Sequence, residues 1–252
     1  MGRQIYLTLV LILLTACTAE PSATPATALS PVATSPAFVT LVTRWIAEYP
    51  SSSEVLIEVH VLPPQEVRNT VMAGDSELAL AGGTPPDGWF ATPLFEEGIA
   101  VIVHPGNRVR SYTLEDLAAV FSGQVRNWSD LGGANQAIQP IIPIATDEIR
   151  VQFESIVLGE LSPAVNTLLA PTPSAMNRMI AEDPGAVGYI PLSILSEQVR
   201  AVRVEKFLPS IKSVQDGDYP LSITVLAFAP KEPIGALRDW LVWIQDKQSS
   251  GR

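Results

Sequence analysis

Few residues in this 252-residue chain are of the types and spacings that do covalent chemistry. A single cysteine, Cys17, excludes an intrachain disulfide, so packing alone must hold the fold. The two histidines, His60 and His104, fall in or beside predicted strands with no Cys or His partner at metal-ligand spacing, and read as structural or surface groups. There is no G-x-S-x-G elbow, G-x-G-x-x-G turn or Walker loop, and the carboxylates are scattered, with no pair that announces acid–base work. This pattern points to binding, not to an enzyme, and neither a metal nor a cofactor is expected. Residues that bind, in place of residues that react, must then be set in position by the fold.

Those positions need elements to hold them. Strand-like segments run over 29–33, 55–62, 77–81, 99–103, 138–144, 186–190, 199–204 and 221–229. Helical periodicity covers 36–49, 65–73, 114–121, 147–158, 174–181 and 233–248, with Pro36 suited to a first turn, Thr113 to an N-cap and Gly74 to a helix end. The alternation predicts an α/β fold with mainly parallel sheets and no internal repeat. Hydrophobic residues make up 47% of the chain, enough for a substantial core. The net charge of −10, from 26 acidic and 16 basic residues, argues against nucleic-acid binding. Any anion must therefore be held by local geometry, since the overall field repels it.

The leader has its own pattern. Arg3 precedes an apolar run from Ile5 to Leu14, then Leu14-Thr15-Ala16, and after Cys17 come the polar, Pro-rich residues Thr18 to Pro25. A basic start, about ten apolar residues and small residues at a junction describe a secretory signal; a membrane span needs ~20 apolar residues. Leu-Thr-Ala-Cys resembles a bacterial lipobox, which implies removal of residues 1–16, lipidation of Cys17 and a disordered spacer over 17–27. The body is then expected outside the cytoplasm, tied to the cell membrane by lipid.

Three further segments carry a family resemblance. Tyr112 to Gly123 (YTLEDLAAVFSG) with Asn127 to Gly133 (NWSDLGG) resembles the helix and turn of phosphate-binding proteins of ABC importers, the PstS-like group of the type II periplasmic-binding-protein superfamily. Asp183 to Tyr189 (DPGAVGY) is similar to that family's turn and return strand, and Ser213 to Leu221 (SVQDGDYPL) to its C-terminal hairpin. The resemblance implies two α/β lobes joined by two hinge-crossing strands, 28–100 plus 195–252 forming one lobe and 101–194 the other. Ile99–Val103 and Ala186–Pro191 would fall at the hinge. It implies a monomeric solute-binding protein that closes on a small anionic ligand, phosphate or another oxyanion, and docks on an ABC permease.

Carried over position by position, the resemblance assigns the ligand to Thr34, Ser35 and the amide of Phe38, to Gly83 and Thr84 within Gly82-Gly83-Thr84, and to Thr146, Asp147 and Arg150. Thr34 or Ser35 can equally serve as a plain N-cap. The last group departs from the family's G-S-G-T-R-x-x-F motif. Here the chain reads Thr146-Asp147-Glu148-Ile149-Arg150-Val151-Gln152-Phe153, which keeps the arginine and phenylalanine but replaces two hydroxyls by Asp147 and Ile149. Asp147 and Glu148 suit that helix start electrostatically and can take the anion's place themselves. Three readings stay open: Arg150 clamps an oxyanion, the cleft takes a ligand with a cationic or hydroxyl-bearing part, or the chain is a sensory or scaffolding lipoprotein that binds nothing small. Arg150 can also pair with Glu154 one turn along.

Overall fold

The computed structural model describes residues 29–50 and 56–250. The expected signal segment, Cys17 and the spacer lie outside the described residues. In chain order the elements are β1 (Leu29–Thr34), α1 (Val39–Glu48), β2 (Leu56–Val61), α2 (Pro64–Ala73), β3 (Leu78–Ala81), β4 (Phe90–Val103), β5 (Ser111–Tyr112) and α3 (Leu114–Phe121). There follow β6 (Gln139–Pro143), α4 (Glu148–Phe153), β7 (Leu168–Ala170), α5 (Pro173–Glu182), β8 (Ala186–Pro191), β9 (Arg200–Ala201), β10 (Arg203–Val204), α6 (Ile211–Gln215), β11 (Ser222–Ala229) and α7 (Gly235–Ser250).

The strands run β2-β1-β3-β11-β4-β8-β6-β7, with β9 on β4 and a separate β10-β5 ribbon. The fold is two-lobed, and β4 is its seam. Residues 90–98 of this strand pair with β11, while Ile99–Val103 pair with β8. The latter stretch is fully buried, as its unbroken apolar run demands. Pairing is parallel away from the seam, in β2-β1-β3 and in β8-β6-β7, where helices connect the strands. It is antiparallel at β11, β4 and β8, so the sheet is mixed where mainly parallel sheets were expected. The reason is topological: β8 and β11 return to β4 from far along the chain and run against it, whereas the parallel neighbours are joined by single helices. β9 and β10, sequence-assigned to the first lobe, pair with the end of β4 and with β5.

Local chemistry accounts for most element ends. Thr113 and Asp116 form a reciprocal capping box on α3, and Gly74 closes α2 in the left-handed conformation. Pro36 does not open α1: Phe38 and Val39 N–H both donate to Ser35 O at 3.1 Å, so a turn comes first. α4 ends at Phe153 and widens into a π turn over Glu154–Leu158. Beneath it Phe153 stacks on Tyr189 at 3.8 Å and meets Phe121 edge-on at 4.9 Å, which fixes α4 against β8 and α3. On the other lobe Leu41, Val42 and Trp45 of α1 join the core with Leu237, Trp240, Leu241 and Ile244 of α7.

Candidate functional site

α4 starts where the two lobes meet, and its first two side chains are carboxylates. Asp147 turns back on its own helix: its Oδ1 accepts from Ile149 N at 2.9 Å and Arg150 N at 3.3 Å. That is ordinary N-capping, and it takes up amides that an external anion would otherwise use. Glu148 reaches across to the other lobe. Its Oε2 accepts from the Ser35 hydroxyl at 2.5 Å, and its Oε1 from the Gly82 amide at 3.1 Å. One carboxylate, held by a hydroxyl ahead of α1 and an amide after β3, therefore links the lobes.

Glycine at 82 leaves room for this close approach. A Cβ there would lie 2.4 Å from Ile223 Cδ1, the far end of a flexible side chain, so that side chain must turn aside before a larger residue fits. Burial pushes the Glu148 carboxyl up to about 7; the neighbouring Asp147 adds to the rise, and the Ser35 and Gly82 hydrogen bonds oppose it. Burial also raises Asp147, against the two helix amides that favour its ionised form. Two carboxyls with reluctant charges thus stand side by side at the lobe junction.

The remaining sequence-assigned residues are occupied elsewhere. Thr34 is fully buried and its hydroxyl donates to Leu80 O at 2.8 Å, tying β1 to β3. Phe38 is a core residue whose amide serves the Ser35 turn. Gly83 has φ +86 and supplies the left-handed step of its loop, and Thr84 is exposed, its carbonyl accepting from Arg68 at 2.9 Å. Thr146 is exposed. Arg150 pairs with Glu154 through Nε at 2.7 Å and donates to Pro143 O at 3.0 Å. Ser35, Gly82, Asp147 and Glu148 therefore gather at one point; the hydroxyls of Thr34, Thr84 and Thr146 and the Arg150 guanidinium do not join them as donors.

One space borders the contact and another opens between α1 and α5. A groove of about 240 Å³ is lined by Gln65, Arg68, Asn69, Gly82 and Glu148. A larger opening of about 490 Å³ separates α1 from α5, between Val39, Thr40, Thr172, Ser174 and Asn177. Asn177 is buried and its Oδ1 has no partner. Among the described residues no group of three or more His, Cys, Asp or Glu could hold a metal, and no helix is long and apolar enough to cross a membrane.

The family model described as "PBP superfamily domain" matches residues 70–248. The phosphate-binding protein PstS of Bacillus subtilis is 26% identical over 151 residues, covering 60% of this chain and 50% of that protein. The PstS of Pseudomonas aeruginosa PAO1 is 22% identical over 163 residues, 57% of this chain and 50% of its own. The chain thus spans about half the length of the curated relatives it matches. Among solved structures, a substrate-binding protein from Clostridium perfringens, assigned to phosphate ABC transport and carrying bound phosphate, superposes with TM-score 0.80 at 20% identity, over 89% of this chain and 97% of that one. An ABC-type phosphate transport receptor from Vibrio cholerae gives 0.70 at 20% identity, over 88% and 95%.

Proposed function

As the chain belongs to the PBP superfamily, we propose that it is an extracytoplasmic, membrane-anchored solute-binding lipoprotein of an ABC import system, taking phosphate or a related oxyanion between its lobes. The observation that carries this reading is the Glu148 carboxylate, bound on one oxygen by the Ser35 hydroxyl and on the other by the Gly82 amide. An oxyanion presents the same pair of acceptor oxygens to the same donors. The names of the relatives supply the chemical class. The leader pattern around Cys17 supports export and lipid attachment, and the lobes are taken as expected, except that β9 and β10, paired with the end of β4 and with β5, go with the second lobe.

The mechanism is binding without catalysis. Ligand that contacts both lobes favours the closed form by its differential affinity, and the closed form is the one a permease recognises. Here Glu148 occupies the Ser35 and Gly82 donors itself, so an incoming oxyanion must displace it. An ionised carboxylate left ~4 Å from a bound monoanion would cost ~4 kcal/mol at the effective dielectric of a partly buried site. Protonated Glu148 imposes no such cost.

The same contact favours a second reading, a sensory or scaffolding lipoprotein whose lobes are closed by its own side chain. Thermal unfolding of the full chain with phosphate, sulfate and molybdate separates the two, alongside Glu148→Ala. Under the transport reading a ligand at ~100 times its Kd stabilises the native chain by ~2.7 kcal/mol. Under the scaffold reading only Glu148→Ala responds, its vacated donors taking the anion. If neither protein responds to any anion, the oxyanion assignment is wrong.

A further inference from the structure

Away from the lobe junction, the chain segregates its charge. Two segments, 104–112 and 199–208, hold five of the 16 Lys and Arg residues and one of the 26 Asp and Glu residues, a local +4 that leaves −14 for the rest. Hydrogen bonds lay these segments side by side. β5 and β10 pair with Arg203 opposite Ser111 and Val204 opposite Tyr112, and Arg203 N donates to Arg110 O at 3.0 Å. Arg200 Nη2 donates to the carbonyls of Asn107 at 2.7 Å and Val109 at 2.8 Å. Tyr112 and Val204 are buried beneath the ribbon, while Arg108, Arg110, Arg203 and Lys206 are exposed. The one acid inside the patch, Glu205, accepts from Leu114 N at 2.8 Å, and Asp116 beside it belongs to the α3 capping box. Glu115 stands at the margin.

The tip of this ribbon is unusual. Val204 and Phe207 exchange backbone hydrogen bonds of 2.9 and 3.0 Å, and between them Glu205 and Lys206 both have positive φ, 49° and 79°. Such a turn ordinarily takes Asn-Gly, because side chains at two left-handed positions are strained. Here the strain keeps a lysine at the apex, beside Phe207 and Leu208 and one turn from Ile211, which are 40, 48 and 56% exposed. Strained positions that put a charge and apolar groups into solvent together mark a contact surface.

We infer that the face formed by Arg108, Arg110, Arg203, Lys206, Phe207 and Ile211 docks on the surface of an anionic lipid bilayer. The charge is complementary to acidic headgroups and opposite to that of the rest of the chain, so it orients the body as well as attracting it. Phe207, Leu208 and Ile211 enter the boundary between headgroups and acyl chains, while the arginines and lysine meet phosphates above them. This surface acts independently of what the lobes bind.

The test is sedimentation of the full chain with vesicles of phosphatidylcholine, with and without phosphatidylglycerol. Any contribution of the leader is common to all variants, so ratios report the patch. Replacing Arg110, Arg203 and Lys206 by Gln is expected to lower partition onto phosphatidylglycerol vesicles by about a hundredfold, roughly fivefold for each charge, leaving neutral vesicles unaffected. High salt should abolish the wild-type preference for the acidic lipid. Lys206→Gly guards against misfolding: glycine relieves the strained φ, so this variant keeps or raises Tm while losing about fivefold in acidic-lipid binding. Equal binding by wild type and triple variant overturns the proposal, as does failure of the wild type to prefer acidic vesicles. Retention by whole membranes alone, lost in the triple variant, overturns it in favour of an acidic protein partner.

Discussion

Replacing Glu148 by Gln removes a titration without removing a contact. The amide oxygen still accepts from Gly82 N, and the amide nitrogen donates to the Ser35 oxygen once that hydroxyl turns its proton away. In the native cleft the carboxyl is pushed from its ordinary 4.5 up to about 7, chiefly by burial. The folded protein therefore keeps a proton that the unfolded chain releases between those two values. Stability from this group is whole below about 4.5 and falls by ~1.4 kcal/mol per pH unit above it. It levels off above about 7, after a loss of about 3 kcal/mol. Glu97, buried beside Ser193, and Asp147 are raised in the same direction, so the native protein weakens with pH through all three. The difference between native protein and Glu148→Gln isolates the share of Glu148. Urea unfolding at intervals from about pH 5 to about pH 8 should show the variant gaining about 2.5 kcal/mol on the native protein, equivalent to roughly 5–10 °C in Tm for a domain of this size. A difference that stays constant across that range would refute the placement of the carboxyl in a desolvated lobe junction.

Other changes bear on the frame around this contact. Gly185→Ala puts a methyl 2.4 Å from the Ala137 carbonyl, beside a Gly185 carbonyl that already accepts from Trp128 and Gln139; a loss of about 3 kcal/mol in urea unfolding is expected. Tyr219→Phe deletes the buried hydroxyl that donates to Ile99 O at 3.0 Å, at the residue where β4 changes partners; calorimetry should register about 1–2 kcal/mol. Arg150→Ala leaves Glu154 and the Pro143 carbonyl without their partner, lowering stability by about 1 kcal/mol, while any phosphate-induced Tm shift persists because this guanidinium is already engaged.

Much of the frame is legible in the residues, because local rules govern it. The Thr113 cap, the Gly74 stop and the buried run at Ile99–Val103 all lie where capping, left-handed glycine and continuous apolar character put them. Elements of two or three residues, such as β5 and β7, leave no periodicity, because what defines them is a partner distant in the chain. The first half of β4 is obscured by Glu96, Glu97 and Pro93, and its pairing with β11 is a tertiary fact. At the lobe junction the substitutions at 147 and 149 are visible in the sequence. That Glu148 rather than Asp147 spans the gap depends on which carboxylate caps α4 and which points at Ser35, a choice made by rotamers and lobe closure. Likewise, whether Arg150 faces a ligand or Glu154 is decided by the one-turn spacing once α4 has formed.

The position of β11 constrains the order in which this protein can come into being. It is encoded near the end of the chain, yet it lies between β3 and β4, with Leu226 opposite Ala81 on one side and Pro93 on the other. Until residue 229 has emerged, β3 and β4 each show an unpaired edge toward the gap that β11 will fill. A chain appearing from its N-terminus can pair β1, β2 and β3 early, but the outer edge of β3 stays uncovered while the middle of the sequence is delivered. The middle segment likewise can pair β6, β7 and β8 as soon as residue 191 is out. The two half-sheets can therefore each pair from their own stretch of chain, and β11 joins them last, so a lesion in β11 leaves the facing edges of β3 and β4 open to misassociation.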